Sequence, residues 1–368
     1  MLQHLFSSLK QTVSPRAAGR RRMDAVIQES IKQVQARAKS QVPWKPDEPW
    51  HQSYYSFSPG STGGWKEVDP TRSTSAPGGQ SLKSLALYSW NIDFMLPFAD
   101  SRMMRAVDCL ATLINQQHGE VATVIYLQEC VETDLVLLAA HPWIRATFHL
   151  TDLDISSWQS GYYGTVTLID RRLSVTSCFR VHYAQSRMER DAFFVDIRMG
   201  QNNERIIRLC NTHLESLALE PPMRPPQMAL AAKYMRHENV HGAAAAGDFN
   251  AIQDFDRHLH SDNDLKDAYL ELGGKEDSDD GYTWGQQAST KLRNQFGYSR
   301  MDKVYFCGGL NLKNFRRFGA DIFVEAEDER KHIVDLGFDR SWITDHLGVM
   351  ARFEIADHEA DTIAPKLA

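Results

Sequence analysis

Gly242-Ala243-Ala244-Ala245-Ala246-Gly247-Asp248-Phe249-Asn250 is a stretch that two rules read differently. Four alanines favour helix by propensity. They lie between two glycines, however, in a run too short for a helix, and they lead straight into a carboxylate and an amide. The stretch is therefore read as a buried strand where close packing wants small side chains. Asp248 and Asn250 stand at its tip, two apart, so in an extended segment both point to the same side. Trp90-Asn91-Ile92-Asp93, Leu127-Gln128-Glu129 and Thr344-Asp345-His346 repeat the pattern: an acid, amide or imidazole right after a short apolar run.

Periodicity predicts further strands. Leu85–Trp90 alternates and ends at Asn91, and Val121–Leu127 is apolar apart from Thr123 and delivers Glu129. Thr165–Ile169, Phe193–Ile197, Ile206–Cys210, Met301–Phe306 and Val349–Ile355 also read as strands. A helix capped by Asp100 or Ser101 carries Met104, Val107, Leu110, Leu113 and Ile114 on one face. Pro225 and Pro226 precede a helix over Gln227–Glu238, and Leu265–Leu272 reads as another. Strands mixed with helices, and no GxGxxG, argue for α/β layers rather than a dinucleotide fold.

Three parts are expected: an N-terminal extension 1–80, a main domain 81–357 and a tail 358–368. Residues 1–22 hold five basic residues and no acid, like a weak mitochondrial targeting segment, a disordered leader or sequence upstream of a start at Met23. An amphipathic helix follows from Met23 to about Ser40. The arm 42–80 carries Trp44, Trp50, Tyr54, Tyr55, Phe57 and Trp65, too many rings for a pure linker. Part of it is expected against the main domain, with Thr71–Gly79 flexible.

Charge limits the partners. Residues 1–40 have eight Lys/Arg and two Asp/Glu, net +6, against −6 for the whole chain, so the remainder carries −12. Such a body is not a general duplex binder. It fits a metal-carboxylate site acting on a nucleic-acid end or a small phosphoester. Five cysteines without a CxxC pair argue for reduced thiols and an intracellular location, nuclear, cytoplasmic or mitochondrial. No apolar stretch approaches the roughly 20 residues needed to span a bilayer.

Phosphodiester hydrolysis needs charge neutralisation, an activated water and donors for the developing charge. Mg²⁺, with Mn²⁺ as a substitute, prefers carboxylate and amide oxygens. Glu129 is the first choice of ligand, with Asn91 and Asp345 nearby. Asp248 suits proton removal from water, and Asn250 suits holding the phosphate. His346 as imidazolium suits the transition state, with Asp302 behind it. His213, in Asn211-Thr212-His213-Leu214-Glu215-Ser216, suits donation to a phosphate oxygen. The segment Asp254, Asp256, His258, His260, Asp262, Asp264 reads as a solvated loop, and Glu276–Asp280 as an exposed acidic one.

WNID, LQE, THLES, GDFN, RMDKV and TDHLGV occur in the order of the endonuclease/exonuclease/phosphatase superfamily, which the chain resembles from Leu82 to Ile355. The resemblance implies a four-layer α-β-β-α sandwich of two mixed sheets flanked by helices, DNase I-like. It places Asn91, Glu129 and Asp345 at the metal and Asp248 on the attacking water. Asn250, His213 and His346 would hold the phosphate, with Asp302 orienting His346. Asp93, His213-Leu214-Glu215-Ser216, Met188-Glu189-Arg190 and Tyr282-Thr283-Trp284 look closest to the 5′-tyrosyl-DNA phosphodiesterases. Those enzymes use Mg²⁺ to hydrolyse the bond between a 5′ phosphate and a topoisomerase tyrosine, so DNA 5′ ends or phosphotyrosyl-DNA in repair are the expected partners, and this chain is expected to be a monomer. That likeness implies substrate roles for Asp93, Arg190, Ser216 and Trp284, the last lining the groove.

Departures bear on specificity rather than chemistry. Phe249 replaces the usual Thr of GDTN, and Asp191 replaces the Asn after Met-x-Arg. Thr344 replaces Ser, and Leu347 replaces Trp. The alternatives are the same chemistry on RNA, a nucleotide or a phospholipid or inositol headgroup, and a catalytically silent binding module. The last is opposed by the filled set of catalytic positions.

Overall fold

The computed structural model describes residues 44–60, 64–72, 82–117, 119–199 and 205–356. The leader 1–22, the helix expected over Met23–Ser40, most of Thr71–Gly79 and the tail 358–368 lie outside them. In chain order the elements are β1 (Pro49–His51), β2 (Tyr54–Ser58), β3 (Gly64–Val68), β4 (Ser84–Asn91), α1 (Ala99–Asn115), β5 (Val121–Val131), α2 (Glu132–Ala140) and α3 (Pro142–Thr147). Then come β6 (Phe148–Leu150), β7 (Tyr163–Asp170), β8 (Ser174–His182), β9 (Asp191–Met199), β10 (Arg205–Thr212), α4 (Arg224–Met235) and β11 (Gly242–Asp248). The last are β12 (Lys266–Asp267), α5 (Ala268–Glu271), α6 (Thr290–Phe296), β13 (Asp302–Gly308), β14 (Leu310–Phe318), α7 (Glu327–Asp335) and β15 (Gly348–Ile355).

The alanine run is β11, and its alternation explains its composition. Ala244 and Ala246 face the second sheet, while Ala243 and Ala245 face Met228, Ala231, Ala232 and Met235 of α4. A strand pressed from both sides has room only for methyl groups. Larger side chains there would overpack at a cost of about 1–3 kcal/mol each. Gly247 ends the run at φ +156°, where a Cβ would lie 1.7 Å from the Thr212 carbonyl oxygen. Only glycine lets β11 approach β10 so closely.

Two mixed sheets stack. One has the order β1-β8-β9-β10-β11-β13-β12, the other β14-β15-β4-β5-β7-β6-β2-β3. Leu85, Leu87, Val124 and Tyr126 of the second meet Phe193, Val195, Leu209 and Val304 of the first in the central core. Fully burying each such large apolar side chain is worth about 1.5–3 kcal/mol. The outer face of the second sheet carries Tyr88, Trp90, Ile125 and Leu127 against Met103, Val107 and Leu110 of α1 and Leu135 and Leu138 of α2. The result is the expected α-β-β-α sandwich.

Each sheet contains one parallel pair, β4–β5 and β10–β11. A parallel pair needs a crossover, supplied here by α1 and α4. The C-terminal ends of these four strands therefore share one rim. β13 runs antiparallel to β11 and starts there, with Asp248 and Asp302 as register partners. β15 also starts there, pairing Val349 with Ser89. Topology alone thus brings Asn91, Glu129, His213, Asp248, Asp302 and His346 to one edge.

Several expectations are corrected. Val121–Leu127 continues to Val131 through a bulge between Leu127 and Cys130, so Glu129 sits inside a strand, at φ +59°. The bulge turns its side chain to the rim. α1 starts from Phe98 in the left-handed region with no side-chain cap, so neither Asp100 nor Ser101 caps it. Pro225 and Pro226 lie within the first turn of α4, which ends at Met235. Only half of Leu265–Leu272 is helical: Asp267 ends β12 and caps the four-residue α5. The aromatic arm, assigned to the extension, is built into both sheets. β1 pairs with β8, and β2 and β3 complete the edge beyond β6.

Candidate active site

The rim is organised around Asp248. Its Oδ2 accepts from Asn91 Nδ2 at 3.0 Å and lies 3.3 Å from His213 Nε2 and 3.8 Å from His346 Nε2. Its Oδ1 accepts from the Asn250 backbone N–H at 2.8 Å. Asn250 has φ +48°, so the shared side of Asp248 and Asn250 comes from a tight turn, not from extended chain. Burial alone would raise the Asp248 carboxyl. His346 and His213 outweigh it and hold the group well below the usual carboxylate range.

His346 donates from Nδ1 to Asp302 Oδ2 at 2.8 Å. Burial would lower the imidazole, but Asp302, Asp248 and Asp345 hold it well above its ordinary range. Three carboxylates around the ring favour its charged form. Burial pushes Asp302 up to about 6 despite that neighbour. The Thr283 hydroxyl accepts from the Asp302 backbone N–H at 2.9 Å, which fixes the acid.

His213 is the opposite case. Arg190 Nη1 donates to its Nδ1 at 2.5 Å. A guanidinium can only donate, so Nδ1 accepts and the neutral ring carries its proton on Nε2. Burial, then the Arg190 charge, lowers its pKa. Arg190 itself is buried, donates to Ser216 Oγ at 2.8 Å and lies 5.1 Å over the Tyr163 ring. The site thus sets two imidazole Nε2 atoms on Asp248, one favoured neutral by Arg190 and one favoured charged by its acids.

Acids crowd the other side. Glu129 Oε2 accepts from the Phe94 backbone N–H at 3.0 Å, and its Oε1 is 3.8 Å from His213 Nε2. Asp345 Oδ2 accepts from Trp284 Nε1 at 2.7 Å. Burial, then Asp345 and Glu129, pushes the Asp93 carboxyl up to about 8. Burial also raises Asp345. Mutual repulsion among acidic oxygens is what a hard divalent cation relieves, so the donor set fits one. Glu129, His213 and Asp248 come together as one possible metal-holding group, and Asp248, Asp302 and His346 as another.

Four non-glycine residues of this region have positive φ: Asp93, Glu129, Glu189 and Asn250. Such strain clusters where geometry is functional.

All twelve expected site residues lie at or beside this rim, with two surprises. Trp284 is buried against Ala288 and Met301 rather than presenting a face to a groove. Its indole N–H holds Asp345. Asn91 has its amide engaged on both sides, to Asp248 and to the Asp93 backbone N–H at 2.9 Å. The acidic segments are largely exposed, as expected, except at two acids. Asp256 is buried in a two-bond pair with Arg224, each bond 2.8 Å. Glu276 is held by Lys303 at 2.8 Å and by Arg300.

Arg102 was not anticipated. It is buried and donates to the carbonyls of Ile92 and, at 2.8 Å, Ile343 through Nη1. It also donates to those of Asp93 at 2.8 Å, Leu96 at 3.0 Å and Pro97 at 2.9 Å. One guanidinium so ties the loop carrying Asp93 to the loop carrying Asp345. Thr344 Oγ1 adds a bond to the Asn91 carbonyl at 2.8 Å. Arg102 stands at stripe spacing, four before Ala106 and eight before Leu110, which is the signal in the sequence.

The sequence profile of the Endonuclease/Exonuclease/phosphatase family matches residues 88–346. The chain belongs to that family. No match was found among curated proteins. Truncated TDP2 of Caenorhabditis elegans shares the fold at 22% identity and TM-score 0.54, over 75% of this chain and 100% of that one. D. rerio TDP2 complexed with single strand DNA product does so at 16% identity and TM-score 0.54, over 74% and 99%. The human Nocturnin catalytic domain with bound sulfate follows at 15% identity and TM-score 0.51, over 74% and 95%. Among the described residues no helix is long and apolar enough to cross a membrane.

Proposed function

We propose that this member of the endonuclease/exonuclease/phosphatase family is a Mg²⁺-dependent phosphodiesterase acting at DNA 5′ ends, on 5′-tyrosyl adducts in DNA repair. The observation that carries the reading is the convergence of His213 Nε2 and His346 Nε2 on Asp248, 3.3 and 3.8 Å away, beside Glu129 and Asp345. The His213-Leu214-Glu215-Ser216 and Tyr282-Thr283-Trp284 strings favour the tyrosyl-DNA substrate. The D. rerio TDP2 structure holds a single-strand DNA product on the same fold.

A divalent cation held by Glu129, Asp345 and Asn91 would neutralise phosphate charge. Mn²⁺ suits the same oxygens. The chain does the rest. Asp248, kept ionised, takes the proton of the attacking water at its carboxylate. Asn91 and the Asn250 backbone N–H hold that carboxylate in place. The His213 Nε2–H donates a hydrogen bond to a phosphate oxygen and keeps its proton, and Asn250 flanks it. His346 meets the developing charge with its imidazolium, which Asp302 orients and keeps protonated. Removing one such donor typically costs 10²–10³ in rate. Asp93, Arg190 and Ser216 line the approach.

Hydrolysis of a 5′-phosphotyrosyl oligonucleotide with and without Mg²⁺ tests this. Turnover should need the cation and vanish in Glu129→Ala and Asp248→Ala. Equal turnover in excess chelator would reject the metal role. A second reading keeps the chemistry but moves it to RNA, a nucleotide, or a phospholipid or inositol headgroup. It is favoured by Phe249 and Leu347, and by the Nocturnin domain matching at a similar TM-score of 0.51. A panel of phosphoesters separates the two.

A further inference from the structure

Arg180, Asp152 and Asp191 form a charged group buried between the two sheets, away from the rim. Arg180 stands on β8 and lies 4.8 Å over the Phe193 ring of the central core. Its Nη2 donates to both carboxylate oxygens of Asp152 at 3.1 Å. Its Nη1 donates to Asp191 Oδ2 at 3.0 Å and to Thr165 Oγ1 at 2.9 Å. Thr165 Oγ1 in turn donates to Asp191 Oδ1 at 3.3 Å. Arg180 and Asp191 belong to one sheet, while Thr165 lies in β7 of the other and Asp152 follows its β6. The group therefore ties layer to layer.

Both of its ends reach the neighbours of site residues. On the first sheet, Arg190 precedes Asp191 and donates to His213 Nδ1. The Asp191 carbonyl accepts from Thr212 Oγ1 at 2.8 Å, and Thr212 precedes His213. Asp191 thus holds the surroundings of His213 from two directions. On the second sheet, Gly164, beside Thr165, is the register partner of Cys130, beside Glu129. Asp191 is also a departure from the Asn of the resembled motif, and the change gives Arg180 its second carboxylate. A buried ion triad is commonly matched or bettered in stability by apolar side chains of similar volume. Apolar contact is non-directional, whereas bonds from a planar guanidinium fix distance and angle. Three charges kept inside a core serve geometry more than stability.

We propose that Arg180 and Asp191 are positioning residues that set His213 against Glu129 across the two sheets, a role that rests on the catalytic reading above only for its effect on rate. Two variants test it. Asp191→Asn keeps the shape and one acceptor but removes the charge facing Arg180. Asp152→Val/Arg180→Met/Asp191→Val makes the whole group apolar. The nitrogen spectrum of histidine-labelled protein, assigned with His213→Gln, reads the His213 ring directly. The parent should show a proton fixed on Nε2 and a bare, hydrogen-bonded Nδ1, and both variants should lose that fixed pattern. kcat should fall by about ten- to a hundredfold, the loss a misplacement of about 1 Å produces, with KM little changed. The melting temperature of the apolar variant should stay at or above the parent's. A parent-like His213 spectrum in folded variants overturns the proposal, whatever the turnover. If the apolar variant does not fold, Asp191→Asn carries the test alone, and a parent-like spectrum there overturns it equally. A parent with the fixed His213 pattern and no phosphoester turnover counts against the catalytic reading and leaves the positioning to be decided by the spectra.

Discussion

Replacing Asp302 by Asn isolates the orienting pair. The substitution keeps the shape of the side chain and an acceptor 2.8 Å from His346 Nδ1, but removes the charge. A hydrogen bond to a charged group is worth about 1.5–3 kcal/mol, or about ten- to hundredfold in rate. kcat should fall by about that factor near neutral pH. Two carboxylates remain, Asp248 and Asp345, each 3.8 Å from Nε2, so the loss is partial. The sign of the pH effect is fixed by the folded protein. His346 is raised, and its working form is protonated, so activity is present below its folded pKa and lost as pH rises through it. Without Asp302 the alkaline limb of kcat moves to lower pH. The assay is kcat against pH at saturating Mg²⁺, with a melting curve for integrity. An intact fold, kcat within about twofold and an unmoved alkaline limb would refute the reasoning, because a structural acid alone has no reason to move that limb.

Other outcomes follow from the same geometry. Asp93 is raised from 3.8 to about 8, so the folded protein holds a proton the unfolded chain lacks. In chelator, stability should fall as pH rises through that window, and Mg²⁺ should flatten the dependence; a melting temperature equally pH-independent in both conditions counts against the acidic cluster. Arg102→Met should cost about 3–5 kcal/mol in urea unfolding, since it strands buried carbonyls of two loops. A loss below about 1 kcal/mol would show that the guanidinium is dispensable. Trp284→Phe keeps most of the ring but loses the N–H on Asp345, so the Mg²⁺ concentration for half-activation should rise about tenfold. No change means the indole does not position that acid.

Strand tips were legible because an apolar run followed by a polar residue has one physical meaning in a layered fold. The alanine run was read against propensity, and burial on both faces explains why that worked. What the sequence hid was long-range. Leu310–Phe318 carries Lys313, Arg316 and Arg317 as an edge strand does, so β14 gave no apolar alternation to detect. β1, β2 and β3 are three to five residues long and depend on distant partners. The bulge that turns Glu129 outward has no glycine to announce it. Trp284 read as a flat surface for substrate because a sequence does not say which side of a ring is covered. The stripe position of Arg102 marks it as buried, but its carbonyl partners, up to 241 residues away, cannot be read from the sequence.

Asn91 and Glu129 lie in one sheet, with His346 just before its β15, and Asp248 and Asp302 lie in the other, with His213 just after its β10. Gln128 Nε2, bonded to Asn211 Oδ1 at 2.8 Å, pins the two layers together just behind them. Neither layer holds a working half. A chain still assembling, or one opened by a slip between its layers, is therefore chemically mute. The full set of side chains around Asp248 exists only where the two layers meet, so the interlayer contact is itself a component of the site.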